Sequence, residues 1–143
     1  MKKKLPLAII YPTLLVMALD LIFTLAGQSS KYWTSFTSIN ESSPLGYYLL
    51  SNPLFFIVAF IGYLFLVFFL LRNVLPKKIG FAVGIAFFII HVWGSSSWVD
   101  YLIEKGFSIS LTVSQYWIVT VTYLIIISII FSYCYYPYLK NIN

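Results

Sequence analysis

Four long apolar stretches, each bounded by polar or basic residues, dominate the pattern of the chain. They run from about Leu5 to Gly27, Pro53 to Leu71, Ile79 to Trp98 and Leu111 to Tyr133. At about 1.5 Å per helical residue, about 20 residues cross a hydrocarbon core roughly 30 Å thick. The pattern therefore predicts an all-α, four-helix transmembrane bundle that runs up-down-up-down, with residues 1–143 forming a single integral membrane domain.

The long connection between the first two stretches covers about residues 28–52. Its aromatic and aliphatic residues recur at helical spacing: Tyr32, Trp33, Phe36 and Ile39. This spacing predicts a short interfacial helix on the membrane surface. Ser43 followed by Pro44 has the pattern of an N-cap with proline at the first helical position, which predicts a second short helix through Leu49. The loop is expected to fold over the mouth of the bundle, and a plain interfacial connector is the alternative.

Composition supports a membrane environment and excludes other classes. Of the 143 residues, 61% are hydrophobic and 9% are charged. A soluble domain of this size leaves too much of its surface in water to hide so much apolar area. The net charge of +5 does not indicate nucleic acid as a partner, because the basic residues fall in short clusters beside apolar stretches. The single cysteine, Cys134, excludes an internal disulfide and is expected to be structural.

The distribution of basic residues sets the predicted orientation. Seven of the nine lysines and arginines fall at one end of the predicted bundle: Lys2, Lys3, Lys4, Arg72, Lys77, Lys78 and Lys140. Lys31 and Lys105 fall at the other end. The positive-inside rule then places both termini in the cytoplasm and the long loop outside a cell (cytoplasmic) membrane. Glu104 and Lys105 are expected to form a solvated outer turn.

Two ionisable residues lie at matched depth inside predicted spans. Asp20 precedes the span end at Gly27 by about seven residues, and His91 precedes Trp98 by the same interval. An aspartate inside a span costs on the order of 2.5 to 3.5 kcal/mol and needs a polar partner. We therefore expect Asp20 and His91 to pair beneath the loop, with Thr24 one turn above Asp20 as a neighbour. The pair is either a functional site or a structural hydrogen bond between two helices.

Other polar residues are expected near the same end of the bundle: Glu41, Ser95, Asp100 and Gln115. Asp20, Glu41 and His91 are candidate metal ligands, and Asp100 extends the set. Carboxylate and imidazole groups suit zinc, iron or manganese, so a divalent metal is possible, although no His-x-x-x-His or Glu-x-x-His spacing supports it. No other cofactor is predicted. Ser95 and His91 share a helix face but lack a third group to orient a catalytic base.

One resemblance rests on the first third of the chain. Asp20-x-x-x-Thr24, followed by Glu41-x-Ser43-Pro44, resembles an uncharacterised small four-span membrane protein family. That family pairs a first-span Asp-x-x-x-Thr with an outer-loop Glu-x-Asn-Pro box, and Ser43 stands here in place of the asparagine. The resemblance implies the four-span fold and no particular activity.

A second resemblance is to lipoprotein signal peptidase, another four-span protein with both ends inside. Asp20 is similar to that family's first-span aspartate, and Val99-Asp100-Tyr101 resembles its Val-Asp-Phe box with one catalytic aspartate. Gln115 ends the stretch similar to its second catalytic box, and glutamine cannot shuttle the proton of an aspartyl dyad. The family's first-span lysine and its arginine box are also missing. The resemblance implies a scaffold for a lipid or a single transmembrane helix, without the peptidase chemistry.

Two classes of function follow, and the sequence leaves open whether the protein is an enzyme. The first is a non-enzymatic membrane module that binds a membrane lipid or a partner transmembrane helix, as a homo-oligomer or as a small subunit of a membrane complex. The second is an outward-facing intramembrane hydrolase or metal site built on Asp20, His91, Glu41 and Asp100.

Overall fold

The computed structural model describes the backbone of residues 5–140 and the side chains of residues 5–136. This range forms six α-helices, four of which are long and apolar enough to cross a membrane. The helices are α1 Leu7–Ala26, α2 Ser30–Ser35, α3 Pro44–Leu50, α4 Pro53–Phe69, α5 Lys77–Phe107 and α6 Val113–Lys140, and a π-helical turn, Leu70–Val74, extends α4. The predicted all-α bundle is confirmed.

α1 lies at the centre of the bundle and contacts α4, α5 and α6. It is the most buried of the four long helices, and α6 is the least buried. The surface of α6 carries exposed aliphatic side chains such as Ile118, Ile125 and Ile129. Exposed apolar area on this scale indicates a membrane-embedded protein, because soluble monomers rarely carry large contiguous apolar patches.

Three contacts between α1 and α5 recur at seven-residue intervals. They join Thr13 to Gly84, Asp20 to His91 and Gly27 to Trp98. The first is a hydrogen bond of 3.2 Å from Thr13 Oγ1 to the carbonyl oxygen of Gly84. A seven-residue repeat keeps one face of each of two parallel helices in contact along their length. α1 and α5 therefore run in parallel and in register up to the end of the bundle that carries the long loop, here called the loop end.

The opposite end carries the turn between α4 and α5. Arg72 in this turn donates a hydrogen bond to the carbonyl oxygen of Leu5, just before α1. Lys77 and Lys78 open α5. Lys2, Lys3 and Lys4, which contribute to the predicted orientation, lie outside the described residues, and so does the side chain of Lys140.

α2 is a short helix of six residues that anchors the loop. Its N-cap Ser29 accepts a hydrogen bond from the backbone N–H of Tyr32. The helix ends at Phe36, which adopts a left-handed conformation with φ of 54°. Ile39, which the spacing assigned to this helix, therefore lies beyond its end. The fully buried Tyr32 donates from its hydroxyl to the carbonyl oxygen of Leu50 at 2.8 Å. This bond fixes the first half of the loop to the end of α3.

α3 and α4 begin with the same local device. Ser43 and Asn52 are the N-caps, and each accepts a hydrogen bond from the backbone N–H three residues later. Pro44 and Pro53 follow them at the first helical position, where a missing N–H has no consequence. The helix predicted from Ser43 and Pro44 is confirmed.

α5 is the main departure from the predicted spans, because it passes Trp98 and ends at Phe107. The polar run Ser95-Ser96-Ser97 does not interrupt it. Each hydroxyl donates to a backbone carbonyl of the preceding turn. The three hydroxyls therefore have hydrogen-bond partners within the helix, and the helix can continue through them. The extra turns extend α5 beyond the end of α1.

Glu104 and Lys105 lie on those extra turns. Lys105 is exposed, as expected, but both residues lie in a helix and form hydrogen bonds to other parts of the chain. Lys105 Nζ donates to the carbonyl oxygen of Gln28 at 2.9 Å, just past the end of α1, where a cation complements the helix dipole. Glu104 accepts the backbone N–H of Leu111 at 2.7 Å and holds the connection to α6. Both residues are therefore part of the closure of the loop end.

Candidate functional site

The predicted pairing of Asp20 and His91 is confirmed. Asp20 Oδ2 lies 2.7 Å from His91 Nδ1, and the two side chains expose 18% and 12% of their surface. An ionised carboxylate can only accept, so this contact calls for a proton on Nδ1 of His91. The shared heptad register of α1 and α5 places the two residues at the same level, and the hydrogen bond satisfies polar groups that are costly to bury alone.

Small and aromatic neighbours shape the surroundings of this pair. A Cβ atom at Gly94 would lie 3.4 Å from Asp20 Oδ2, which is ordinary van der Waals contact, so the carboxylate packs against α5 at this position. Phe60 and Tyr63 of α4 pack against the imidazole, with ring centroids 6.3 and 6.0 Å from that of His91. The imidazole therefore contacts α1 through Asp20 and α4 through these two rings. Its second nitrogen, Nε2, has no hydrogen-bond partner among the described residues and is not a fully buried atom.

The pair lies in a cavity of about 570 Å³ at the loop end, here called the dyad cavity. Its lining residues come from α1, the loop and α5: Asp20, Thr24, Asn40, Glu41, Ser42, Ser43, Ile90, His91, Gly94, Ser97, Trp98 and Tyr101. Asp20 and His91 supply charge and polarity from the helices, and residues 40–43 cover them from the loop. Thr24 and Glu41, both predicted as site residues, belong to this cavity.

Gln28 holds the loop segment over the dyad cavity. Its buried amide donates to the carbonyl oxygens of Thr24 and Asn40 at 2.9 and 3.0 Å. Its carbonyl accepts from the backbone N–H of Asn40 at 2.9 Å. The side chain thus forms three hydrogen bonds and joins the end of α1 to the loop, while Lys105 binds the Gln28 backbone from α5.

Glu41 is the acidic residue of the loop segment. Its Oε1 accepts the backbone N–H of Ser43 at 2.8 Å, just before α3 begins. The same carboxylate lines the dyad cavity with Asp20, and two carboxylates there favour a ligand that donates hydrogen bonds. Ser42 and Ser97 add hydroxyl groups that donate or accept.

Three of the predicted site residues do not join the Asp20–His91 pair. Ser95 Oγ donates to the carbonyl oxygen of His91 at 2.6 Å and lies 2.7 Å from the Tyr123 hydroxyl, away from the imidazole. Gln115 caps α6, where its Oε1 accepts from the backbone N–H of Thr112 at 2.8 Å. Neither side chain reaches the dyad cavity.

Asp100 also lies apart from the pair. It follows His91 by nine residues, which at 3.6 residues per turn corresponds to a rotation of about 180° around α5. Its Oδ2 accepts instead from Thr120 Oγ1 of α6 at 2.8 Å. Among the described residues, no group of three His, Cys, Asp or Glu side chains could hold a metal ion. The metal set of Asp20, Glu41, His91 and Asp100 is therefore not assembled.

Several residues of the site were not predicted. Gln28 was interpreted only as a polar boundary of the first span, and Lys105 as a solvated cation. Ile90, Trp98 and Tyr101 complete the wall of the dyad cavity on α5. Their spacing from His91, at minus one, plus seven and plus ten, would indicate one broad face of a continuous helix, but the predicted end of the span at Trp98 obscured it.

The chain matches no family model, no curated protein and no solved structure. The resemblances to the four-span family and to lipoprotein signal peptidase therefore stay predictions. Function has to be argued from the chemistry of the dyad cavity and its surroundings.

Proposed function

We propose that the protein is a non-enzymatic membrane module that binds the polar headgroup of a membrane lipid in the dyad cavity. The main support is that this cavity combines the Asp20–His91 pair, a polar loop segment and an apolar wall at Ile90 and Trp98. A lipid has the same two-part character. A partner transmembrane helix fits less well, because an apolar helix would leave the polar lining without partners.

The size and level of the cavity agree with this ligand class. Its volume of about 570 Å³ lies within the roughly 300 to 1,000 Å³ that is usual for small-molecule sites. Asp20 lies six residues below the last helical residue, Ala26, which is about 9 Å at 1.5 Å per residue. This is the depth of the boundary between headgroups and acyl chains when the end of α1 reaches the membrane surface.

The loop end faces outward in this proposal. Arg72, Lys77 and Lys78 cluster at the opposite end of the bundle, and the positive-inside rule assigns such an end to the cytoplasm. The ligand is then a lipid of the outer leaflet of a cell membrane. A cytoplasm-restricted reporter fused to either terminus tests the orientation, and an active reporter is expected at both.

A matched pair of substitutions tests lipid binding. Ile90 and Ile89 are neighbours on α5 with similar exposure, 62% and 59%, but only Ile90 lines the dyad cavity. Ile90→Trp should fill part of the cavity and reduce lipid binding about tenfold or more, the effect of losing on the order of 1.4 kcal/mol. Ile89→Trp should bind lipid like the wild type. Native mass spectrometry of the full chain, with added lipids of defined headgroup, measures the retained lipid.

Two results would contradict lipid binding in the dyad cavity. A lipid that binds equally well to the wild type, Ile90→Trp and Ile89→Trp is bound outside the dyad cavity. A wild-type chain that retains no lipid above the level of an unrelated helical membrane protein has no such site.

A hydrolase is the second candidate, and one observation favours it. Asp20 engages Nδ1 of His91, and Nε2 has no hydrogen-bond partner among the described residues, which is the arrangement of a histidine that accepts a proton from water. Incubation of the purified chain with a panel of lipids, followed by mass spectrometry of products, separates the two candidates. Cleavage that disappears in His91→Gln supports the hydrolase, and intact lipid recovered from the wild type supports the binding module.

A further inference from the structure

A second cavity adjoins the dyad cavity on the side of α5 that faces α6. It has a volume of about 440 Å³ and is here called the Asp100 cavity. Its lining residues are Ser42, Trp93, Gly94, Ser96, Ser97, Asp100, Tyr116, Trp117 and Thr120. Ser42, Gly94 and Ser97 are shared with the dyad cavity, whereas Asp20, Glu41 and His91 are not. The two cavities therefore have separate ionisable groups.

Asp100 is buried without a full set of partners. Only 7% of its surface is exposed, and Thr120 donates to its Oδ2. Its other oxygen, Oδ1, is buried and has no hydrogen-bond donor among the described residues. Among the described residues, the ion pair found is that of Asp20 with His91, and no cationic side chain pairs with Asp100. Buried carboxylates normally have a cationic partner or donors to both oxygens, and Asp100 has neither among the described residues, which points to a ligand.

Aromatic rings complete the lining around this carboxylate. Trp93 projects from α5, and Tyr116 and Trp117 come from the first turns of α6. The faces of tryptophan and tyrosine rings attract cations, and clusters of them beside an acid are typical of sites for ammonium groups. Trp93 and Trp117 are mostly exposed, so a ligand reaches them from the surrounding membrane.

We propose that the Asp100 cavity binds a primary ammonium group. A quaternary ammonium would satisfy the charge of Asp100 and the aromatic rings but has no N–H to give to Oδ1. A primary ammonium satisfies the charge, the rings and the orphaned acceptor together. Its source is an amino-lipid headgroup or a free amine. This inference stands independently of lipid binding in the dyad cavity.

A titration of the full chain in detergent micelles tests the inference and separates the two sources. The probes are a short-chain phosphatidylethanolamine, the matching phosphatidylcholine and free ethanolamine, and the readout is tryptophan fluorescence, since Trp93 and Trp117 line the cavity. We expect phosphatidylethanolamine to bind about tenfold or more tightly than phosphatidylcholine, the order expected for a hydrogen bond to a charged group. Saturable binding of free ethanolamine would identify a small amine as the ligand, and its absence beside lipid binding would identify the headgroup.

Three variants assign the preference to the cavity. Asp100→Asn removes the charge and should abolish the preference for the primary amine. Glu104→Gln makes the same charge change one turn further along α5. Glu104 does not line the cavity but hydrogen-bonds its Tyr116, so this variant should weaken amine binding less than Asp100→Asn and keep the preference for the primary amine. Trp117→Leu changes an exposed residue and should weaken amine binding severalfold without affecting the fold.

Equal affinity of the wild type for the two lipids, with no binding of ethanolamine, would overturn the inference. A preference that survives both Asp100→Asn and Trp117→Leu would overturn it as well. If that surviving preference is lost in Ile90→Trp, the amine binds in the dyad cavity, which contradicts this inference while supporting the proposed function.

Discussion

Asp20 and His91 form a hydrogen bond of 2.7 Å although they lie 71 residues apart in the chain. The bond joins the last third of α1 to the middle of α5 and follows from the heptad register that these helices share. Each of the two side chains gives the other a hydrogen-bond partner among apolar helices, and both line the dyad cavity. The same contact therefore contributes to the packing of the bundle and to the chemistry of the site.

The first prediction concerns the energy of this contact. Asp20→Ala should destabilise the protein more than Asp20→Asn, because the amide still hydrogen-bonds the imidazole while alanine leaves it without a partner. In a double-mutant cycle, Asp20→Ala and His91→Ala should couple by about 0.5 to 2 kcal/mol. Unfolding of the purified variants in detergent measures the free energies. Strictly additive effects would show that the two side chains do not interact.

The second prediction concerns the close contact of α1 and α5 at the loop end. A Cβ atom at Gly27 would overlap the ring of Trp98, so Gly27→Ala should displace the ring and destabilise the protein by about 1 to 3 kcal/mol. Gly62→Ala is the matched control, since no atom lies within 4 Å of its new Cβ. It should be neutral or stabilise α4 by up to about 1 kcal/mol. Equal thermal stabilities of the two variants would contradict the register.

The third prediction separates two glutamines. Gln28→Ala removes the three hydrogen bonds of a buried side chain and should free residues 38–43, raising their hydrogen exchange by about tenfold or more, since unsatisfied buried groups cost roughly 1 to 3 kcal/mol. Gln115→Ala removes only an exposed cap of α6 and should leave exchange in the loop unchanged. Hydrogen exchange followed by mass spectrometry measures both. A loop that exchanges equally in the two variants would show that Gln28 does not hold it.

The fourth prediction is a pH dependence of the loop. Burial raises the pKa of the Tyr32 phenol above its ordinary value of 10.0, because the phenolate would be desolvated. A raised pKa in the folded state means that Tyr32 stabilises the loop fully below about pH 10 and less as the pH rises through the folded pKa. Loop exchange should therefore increase above about pH 10 in the wild type. Tyr32→Phe lacks the titrating group, and its exchange, once corrected for the intrinsic rate, should not change over this range.

The alternation of apolar and polar stretches was sufficient to predict the four long helices, the helix at Ser43-Pro44 and the Asp20–His91 pair. These features depend on local caps and on depth, which are readable along one chain. Asp20 and His91 were placed at the same depth because each lies seven residues before a predicted span end, Gly27 or Trp98. That prediction was correct because Gly27 and Trp98 lie against each other, even though Trp98 does not end its helix.

The extent of α5 could not be predicted in the same way. The predicted span ended at Trp98, whereas the hydroxyls of Ser95, Ser96 and Ser97 bond to their own helix, which continues to Phe107. Because the span was predicted to end at Trp98, the position of Asp100 around the helix axis could not be predicted. In the continuous helix, Asp100 lies on the face opposite His91. The contact of Lys105 with Gln28 could not be predicted either, since it depends on the extra turns.

The central claim is that a lipid headgroup occupies the dyad cavity beside His91. His91 is the single histidine of the chain, so its imidazole nitrogens give one identifiable pair of NMR signals. In ¹⁵N-labelled protein, we expect a protonated Nδ1, and a saturable shift of the Nε2 signal when the bound lipid is titrated into the micelles. Ile90→Trp should weaken that shift, and Ile89→Trp should preserve it. Imidazole signals that do not change at saturating lipid would contradict the account.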